Sequence, residues 1–227
     1  MIYSRQKKFL ENLNEYDLKF QDKIEKCKII LVGCGGIGSP LAELLVRGGF
    51  LNLVLVDNDL IDETNLQRQV FFENDIGNFK SKSLAKYLKK INSKVNCNVI
   101  CDILNENNVN SICEGSDLII DASDNFELRK LVNEYCETNN KNWIYNGAVK
   151  SEIITCLFYG EDKLFKKVFP KEINEVSCCE VGVLSSTTFA SASLAYNQII
   201  KYFLGIRDYK LIKLDLWKNQ IFEIKIK

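Results

Sequence analysis

A glycine-rich segment follows directly after a run of apolar residues and reads Gly33-Cys34-Gly35-Gly36-Ile37-Gly38. Gly33 and Gly35 allow a tight turn and let the backbone approach a phosphate group, while Gly38 lets a helix pack closely on the preceding strand. The N-terminus of such a helix adds unpaired N–H groups and partial positive charge. The segment therefore predicts that a phosphate-bearing nucleotide binds at the start of a helix.

Four further side chains lie at positions that suit the rest of a nucleotide. Asp57 ends the next apolar run and suits hydrogen bonding to both ribose hydroxyls. Arg68 and Lys80 would place cations near the outer phosphates of a triphosphate, where the charge of a departing pyrophosphate must be stabilised. Asp124 could ligate a magnesium ion. Each has a structural alternative: a turn or helix cap for Asp57 and Asp124, and a solvated surface charge for the two cations.

The chain contains no histidine, which excludes several kinds of catalytic site. Without imidazole there is no Ser-His-Asp or Cys-His nucleophile and no histidine-ligated catalytic metal. Attack of an ionised carboxylate on the α-phosphorus of ATP needs no base, so this reaction remains compatible with the chain. The glycine loop and Asp57 alone would equally serve an NAD-dependent oxidoreductase or a nucleotide-sensing module, which stay open as alternatives.

The amino-acid composition limits the cellular compartment and the binding partners that we expect for this protein. The 30 basic and 30 acidic residues balance, so we expect no nucleic-acid partner. No apolar run approaches about eighteen residues, so we expect no membrane helix. The nine cysteines form no C-x-x-C pair, and no signal-peptide core follows the polar residues 1–8. These features predict a cytoplasmic protein with free thiols, of which Cys27, Cys136 and Cys156 read as buried hydrophobic residues.

Strands and helices alternate along the chain. Apolar runs predict strands at 28–32, 53–56, 98–101, 118–120 and 143–145, and helical periodicity predicts helices at 40–47, 80–91, 106–113 and 126–138. The rest predicts an antiparallel strand at 152–159, an irregular stretch at 165–179, a helix at 187–204 and strands at 211–216 and 220–226. We expect one α/β, Rossmann-like domain over 1–227, with a mixed, mainly parallel sheet, antiparallel C-terminal strands and helices on both faces. An N-terminal helical segment would span 1–27, and a mobile crossover loop 160–183.

Several motifs together resemble the ThiF/MoeB family, bacterial relatives of ubiquitin-activating enzymes. In order and spacing they are the glycine loop, Asp57-Asn58-Asp59, Asn65-Leu66-Gln67-Arg68-Gln69, Lys80, Asp124-Asn125 and Cys178-Cys179-Glu180-Val181-Gly182-Val183. The resemblance covers nearly the whole chain. It implies ATP-dependent adenylation of the C-terminal glycine of a small ubiquitin-like sulfur carrier ending in Gly-Gly, with release of pyrophosphate. We expect thiamine thiazole synthesis as the purpose, with a molybdopterin carrier or a short microcin-like peptide as alternatives.

The resemblance also implies roles for individual residues. The nucleotide would be bound by Gly33, Gly35, Gly36, Gly38, Asp57, Asp59, Thr64, Asn65, Leu66, Gln67, Arg68, Lys80, Asp124 and Asn125. Of these, Arg68, Lys80 and Asp124 would be catalytic, with Asp124 as the magnesium ligand. Arg5 would reach into the site of a partner subunit, which implies a homodimer. Cys178 would form a persulfide-type linkage to the carrier, although the adjacent Cys179 leaves open which thiol reacts.

The chain departs from this family at the zinc site. Members commonly bind zinc through two C-x-x-C pairs, but Leu164 and Lys167 stand where the first pair is expected, and the chain ends at Lys227 before the second. We therefore expect no zinc site. The sequence thus predicts ATP and Mg²⁺ as the only small ligands.

Overall fold

Apolar strands buried on both faces form the centre of the protein. The computed structural model of the 227-residue chain describes residues 2–13, 19–170 and 181–227. Its strands are β1 (Lys28–Val32), β2 (Asn52–Val56), β3 (Asn96–Ile100), β4 (Leu118–Asp121), β5 (Asn142–Val149), β6 (Glu152–Tyr159), β7 (Lys210–Asp215) and β8 (Gln220–Lys225). They form one sheet in the order β3-β2-β1-β4-β5-β6-β7-β8. The first five strands are parallel, and β6 to β8 add to them in antiparallel fashion.

Helices cover both faces of this sheet, as the sequence predicts. They are α1 (Ser4–Asn12), α2 (Phe20–Lys26), α3 (Gly38–Gly48), α4 (Lys80–Ile91), α5 (Val109–Cys113), α6 (Phe126–Asn139), α7 (Phe165–Val168) and α8 (Ser185–Phe203). One core cluster packs α1 to α4 and α8 against one face, and a second packs α5 to α7 against the other. The α/β, Rossmann-like fold class is thereby confirmed.

Most element boundaries agree with prediction within two residues, and three differ for identifiable reasons. The helix predicted at 106–113 begins only at Val109, because Asn105 and Asn108 side chains accept hydrogen bonds from nearby backbone N–H groups and hold a turn there. The stretch predicted as irregular from 165 begins with α7, whose Phe165 is 3% exposed and packs 5.3 Å from the Trp143 ring centroid. Strand β5 continues four residues beyond its predicted end because it pairs with β6 as far as Val149.

The buried thiols behave as hydrophobic residues. Cys27, Cys136 and Cys156 are free and buried, and burial raises the pKa of Cys27 to about 12. Cys178 and Cys179 lie outside the described residues, as does part of the predicted crossover loop, whose mobility stays a prediction. None of the helices in the described part of the chain has both the length and the apolar character needed to cross a membrane.

Candidate functional site

A cavity of about 700 Å³ lies where the parallel strands end at their carboxyl side. Strand β1 lies between β2 and β4 in the sheet. The chain therefore continues from β1 to β2 on one side of β1, and the later strand β4 is added on the other side. Such a switch point is where α/β sheets place their ligands. The wall contains these predicted residues: Gly33, Gly35, Gly36, Asp57, Asp59, Asn65, Arg68, Lys80, Asp124 and Asn125.

The glycine loop is shaped by close backbone contacts. Gly33 has φ +90°, and a Cβ there would lie 2.8 Å from the carbonyl oxygen of Ala122. Gly38 is packed against the Gly33 carbonyl, so no side chain fits there; it shapes the loop and does not line the cavity. Helix α3 begins at Gly38, and no side chain caps its N-terminus. Ser39 N already donates to the Gly35 carbonyl at 3.0 Å, and Pro40 has no N–H. The N–H groups available to an anion such as a phosphate are those of Gly36, Ile37 and Gly38, for which the described residues provide no acceptor.

Asp57 holds the loop together and still faces the cavity. Its Oδ2 accepts a hydrogen bond from Cys34 N at 2.7 Å, and its Oδ1 accepts one from Asp59 N at 2.8 Å. Burial raises the pKa of this carboxyl group, and the hydrogen bond from Cys34 opposes that rise. A carboxylate offers about four acceptor positions, so these two bonds leave capacity for ribose hydroxyls. The turn-cap role and the ribose role are compatible at this residue.

Two cations stand on the cavity wall. Lys80 is only 8% exposed, and its Nζ lies 2.6 Å from Asp59 Oδ2. Arg68 is half-buried and donates one hydrogen bond to the Thr64 carbonyl at 2.7 Å. The aliphatic stem of Arg68 lies over Gly36, where a Cβ would meet its Cγ and Cδ at 3.6 Å. Both cations have further N–H groups to donate, so both can bind phosphate without losing these contacts.

Asp124 is not the N-cap of helix α6, because the next residue, Asn125, has that position. Asn125 is the N-cap of α6, and its Oδ1 accepts a hydrogen bond from Leu128 N at 3.1 Å. Asp124 is exposed on the cavity wall, and no hydrogen bond or ion pair from the described residues reaches its carboxylate. An unpaired carboxylate beside a phosphate-binding loop is the donor that Mg²⁺ prefers. Among the described residues, no group of three or more potential metal ligands is found, and the expected lack of zinc stays a prediction.

A buried ion pair whose arginine lines the cavity was not predicted from the sequence. Arg129 is 3% exposed and Asp121 is fully buried, and Arg129 Nε lies 3.3 Å from Asp121 Oδ2. Burial raises the pKa of Asp121, and the Arg129 charge opposes the rise. Arg129 also donates to the Ser123 carbonyl at 2.6 Å and to the Tyr145 hydroxyl at 2.6 Å. Arg129 thereby connects β4, β5 and α6. Its position among the apolar residues on the buried face of α6 could have predicted from the sequence that this arginine is buried.

Two other wall residues were also not predicted as ligands. Gln69 is 7% exposed, and its Oε1 has no hydrogen-bond partner among the described residues. A Cβ on Gly35 would lie 3.8 Å from Gln69 Nε2, so this amide stands beside the glycine loop. Ile103 is 54% exposed and also lines the cavity, where it offers an apolar surface.

Besides Gly38, three predicted nucleotide ligands lie outside the cavity wall. Thr64 is exposed and donates its hydroxyl hydrogen bond to Asp62 at 2.7 Å. Leu66 packs against the hydrophobic core, and Gln67 is exposed to solvent. These three side chains therefore belong to the segment that contributes to the cavity wall, but they do not themselves line the cavity. Asn65 belongs to both, because it lines the cavity and accepts a hydrogen bond from Asp62 N.

Arg5 lies far from the cavity of its own chain. The neighbouring Gln6 donates to the Gly48 carbonyl at 2.9 Å and accepts from the Tyr196 hydroxyl at 2.7 Å. These contacts attach α1 to the C-terminal end of α3, whereas the cavity lies at its N-terminal end. Helix α3 has 11 residues, so the two ends are about 16 Å apart. Arg5 is exposed at this distant end.

Comparisons with known proteins agree with this geometry. The chain is 33% identical over 223 residues to adenylyltransferase and sulfurtransferase MOCS3 of Xenopus laevis, covering 95% of this chain and 49% of that protein. It is 30% identical over 176 residues to the SAMP-activating enzyme E1 of Haloferax volcanii, covering 76% of this chain and 65% of that protein. It therefore spans about half to two thirds of the length of these curated relatives.

A solved structure shows the same fold. Escherichia coli MccB with ATP superposes with a TM-score of 0.82 at 25% identity, covering 99% of this chain and 71% of that chain. The sequence model described as the ThiF family matches residues 3–227. The chain therefore belongs to the ThiF family.

Proposed function

We propose that this chain is an ATP-dependent adenylyltransferase that activates the C-terminal carboxylate of a small ubiquitin-like sulfur carrier and releases pyrophosphate. One observation supports this most strongly. A single cavity combines an uncapped helix N-terminus with Lys80, Arg68 and the unpaired carboxylate of Asp124. A nicotinamide cofactor carries only a pyrophosphate, which the glycine loop alone would hold. Two further cations and a carboxylate suit a triphosphate whose outer phosphates depart.

The residues of the cavity would act mainly by positioning and by neutralising charge. The glycine loop and the α3 N-terminus would bind phosphate oxygens, and Asp57 would bind the ribose. Arg68 and Lys80 would stabilise the negative charge that grows on pyrophosphate as its bond to the α-phosphorus breaks. The carrier carboxylate is ionised at neutral pH and attacks without a base, so the histidine-free composition fits the reaction.

Asp124 is the residue that would hold Mg²⁺ in this cavity. When bound, the ion would neutralise phosphate charge and orient the triphosphate, which is its usual role in nucleotide enzymes. Lys80 has a separate task. Its ion pair with Asp59 holds the buried ammonium group at the cavity wall before any phosphate arrives.

The carrier and the assembly are the finer parts of the proposal. We keep thiamine thiazole synthesis as the first pathway to test, and relatives named for molybdopterin synthase supply the second carrier. The similarity to MccB, studied with ATP and with the peptide MccA, makes a short peptide the third substrate. We also propose a homodimer in which Arg5 acts in the partner's site, because α1 holds it far from its own cavity. Cys178 remains the proposed site of the covalent sulfur link.

ATP–pyrophosphate exchange tests the function directly. The purified chain is incubated with ATP, Mg²⁺ and each candidate carrier or peptide, and label transfer from pyrophosphate into ATP is measured. We expect exchange with at least one carrier ending in Gly-Gly. Arg68→Ala should reduce it at least a hundredfold. The control is Arg47→Ala, which removes an exposed arginine paired with Glu43 near the far end of α3. Absence of exchange with every carrier and peptide of the host would refute the proposal.

A further inference from the structure

Helix α8 begins beside the glycine loop of the cavity. Its fourth residue, Thr188, is 3% exposed and lines the cavity together with Gly36 and Arg68. The side chain of Thr188 carries two different groups, a hydroxyl that can donate one hydrogen bond and a methyl group. Each of these groups contacts a different part of the nucleotide site.

The methyl group of Thr188 lies against Gly36. A Cβ built on Gly36 would meet Thr188 Cγ2 at 3.1 Å and the Cγ and Cδ atoms of Arg68 at 3.6 Å. The methyl group and the stem of Arg68 therefore occupy the space that a side chain at Gly36 would need. Because such close packing leaves the Gly36 backbone little room to move, it also fixes the direction of the Gly36 N–H, one of the groups available to a phosphate.

The hydroxyl group of Thr188 lies beside the backbone of Arg68. Its Oγ1 is 2.9 Å from the Ser185 carbonyl oxygen and 3.4 Å from the Arg68 carbonyl oxygen, so one hydroxyl hydrogen is shared between two acceptors. Arg68 also donates from its backbone N to the Asn65 carbonyl at 3.0 Å and from its guanidinium to the Thr64 carbonyl at 2.7 Å. Those two contacts lie within the segment that contains Arg68, whereas Thr188 connects Arg68 to a distant helix.

The start of α8 is itself attached to the sheet. The hydroxyl of the fully buried Thr187 donates to the Lys150 carbonyl at 3.1 Å, and Ser191 Oγ donates to Asn146 Oδ1 at 2.7 Å. Asn146 belongs to β5, and Lys150 directly follows that strand. Helix α8 is therefore a fixed support for Thr188, and a group held on a rigid element keeps a more precise position than one held by a loop alone.

We propose that Thr188 is a positioning residue for adenylation, whose hydroxyl fixes the backbone that carries the Arg68 guanidinium and whose methyl group holds Gly36 in place. This inference rests on the proposed function and deepens it, because adenylation gives Arg68 and the glycine loop different tasks. Arg68 stabilises charge that develops as pyrophosphate leaves, so loosening Arg68 lowers kcat. The glycine loop binds the phosphates both before and during the reaction, so loosening Gly36 weakens ATP binding with little change in kcat.

Two substitutions at Thr188 separate the two groups. Thr188→Val removes the hydroxyl and retains a methyl group; we expect kcat for pyrophosphate exchange to fall about tenfold, with little change in the KM for ATP. Thr188→Ser retains the hydroxyl and removes the methyl group. For this variant we expect the KM for ATP, and the Kd for ATP with Mg²⁺ measured by calorimetry, to rise about three- to fivefold with little change in kcat.

Thr187→Val is the matched control. Thr187 lies in the same turn and is likewise buried and hydrogen-bonded to a carbonyl, but it does not line the cavity. Leu184 N still donates to the Lys150 carbonyl in this variant, so the start of α8 stays attached. Thr187→Val and Thr188→Val each lose one buried hydrogen bond and should lower Tm by similar amounts, about 2–4 °C. Only Thr188→Val should change kcat.

The outcomes distinguish this role from the proposed function. Equal kinetic losses in Thr187→Val and Thr188→Val, or the same kinetic profile for the two Thr188 variants, would overturn the positioning role alone. If the wild-type chain exchanges no pyrophosphate with any carrier, the proposed function is refuted together with the role of the hydroxyl. Calorimetry then still decides the role of the methyl group, because an unchanged Kd for ATP in Thr188→Ser overturns it and a weaker Kd supports it.

Discussion

The buried pair of Arg129 and Asp121 yields a prediction with a distinctive pH dependence. Arg129→Met keeps most of the side-chain volume but leaves the fully buried Asp121 carboxylate without its cation. Breaking a buried pair in this way costs about 3–5 kcal/mol of unfolding free energy. For a chain of 227 residues, that corresponds to a fall in Tm of about 6–20 °C. Thermal and urea unfolding followed by circular dichroism measure both quantities.

The sign of the pH effect follows from the direction of the Asp121 shift. Burial already raises the pKa of this carboxyl in the folded protein, and Arg129 opposes the rise. Without Arg129 the folded-state pKa rises further above its unfolded value. A raised carboxyl pKa penalises the folded state at pH values above it, and the penalty disappears at pH values below the unfolded pKa. The stability deficit of Arg129→Met should therefore shrink as pH falls from neutral toward acid.

Two variants control this experiment. Asp121→Asn combined with Arg129→Met removes both charges and should be more stable than Arg129→Met alone. Arg207→Met removes an exposed arginine paired with Glu161 and should leave the unfolding midpoint nearly unchanged. A deficit for Arg129→Met that does not vary with pH, or a variant as stable as the wild type, would contradict the assignment of Arg129 as the partner that neutralises Asp121.

The other predictions concern the site itself. Asp124→Asn should lower kcat for pyrophosphate exchange by at least about a hundredfold and raise the Mg²⁺ concentration needed for half-maximal rate; an unchanged Mg²⁺ titration would speak against this residue as the ligand. We expect two variants, Arg5→Ala and Arg68→Ala, to be inactive when each is assayed alone. When their subunits are mixed and exchanged, half of the dimers contain one subunit of each kind, and each such dimer has one intact site of two. The mixture should therefore recover about a quarter of the wild-type rate. Recovery of no activity on mixing would argue that Arg5 does not act across the dimer. Gly33→Ala should reduce ATP binding measured by calorimetry and lower Tm by more than Gly115→Ala, because both glycines have positive φ but only Gly33 has atoms within 4 Å of the added Cβ.

Local patterns predicted those parts of the site that depend on residues near each other in sequence. The glycine loop, the strand that ends before Asp57 and the helix that begins at Lys80 each carry their signal within about ten residues. At Asp124-Asn125 the pattern allowed either residue to cap α6, since both types are good caps. Only the geometry assigned the cap to Asn125 and left Asp124 to the cavity.

Such local patterns could not predict which residues pair when they are distant in sequence. The last part of β5 contains Gly147 and Ala148, which have low strand propensity, and it is a strand only because β6 folds back beside it. Arg129 is buried because three carbonyl or hydroxyl oxygens and Asp121 converge on it from β4 and β5. Nothing in its own neighbours along α6 specifies those partners.

Asp57 shows how one residue can come under two independent selective constraints. Its carboxylate receives N–H groups from Cys34 and Asp59, and it is also the group expected to contact the ribose. An asparagine there would turn an amide N–H₂ toward one of two backbone donors, so the loop would lose its shape even with no nucleotide present. A change of nucleotide preference at this position therefore has to be accompanied by a redesigned loop. Asp57 is therefore constrained by the shape of the loop as well as by its expected contact with the ribose.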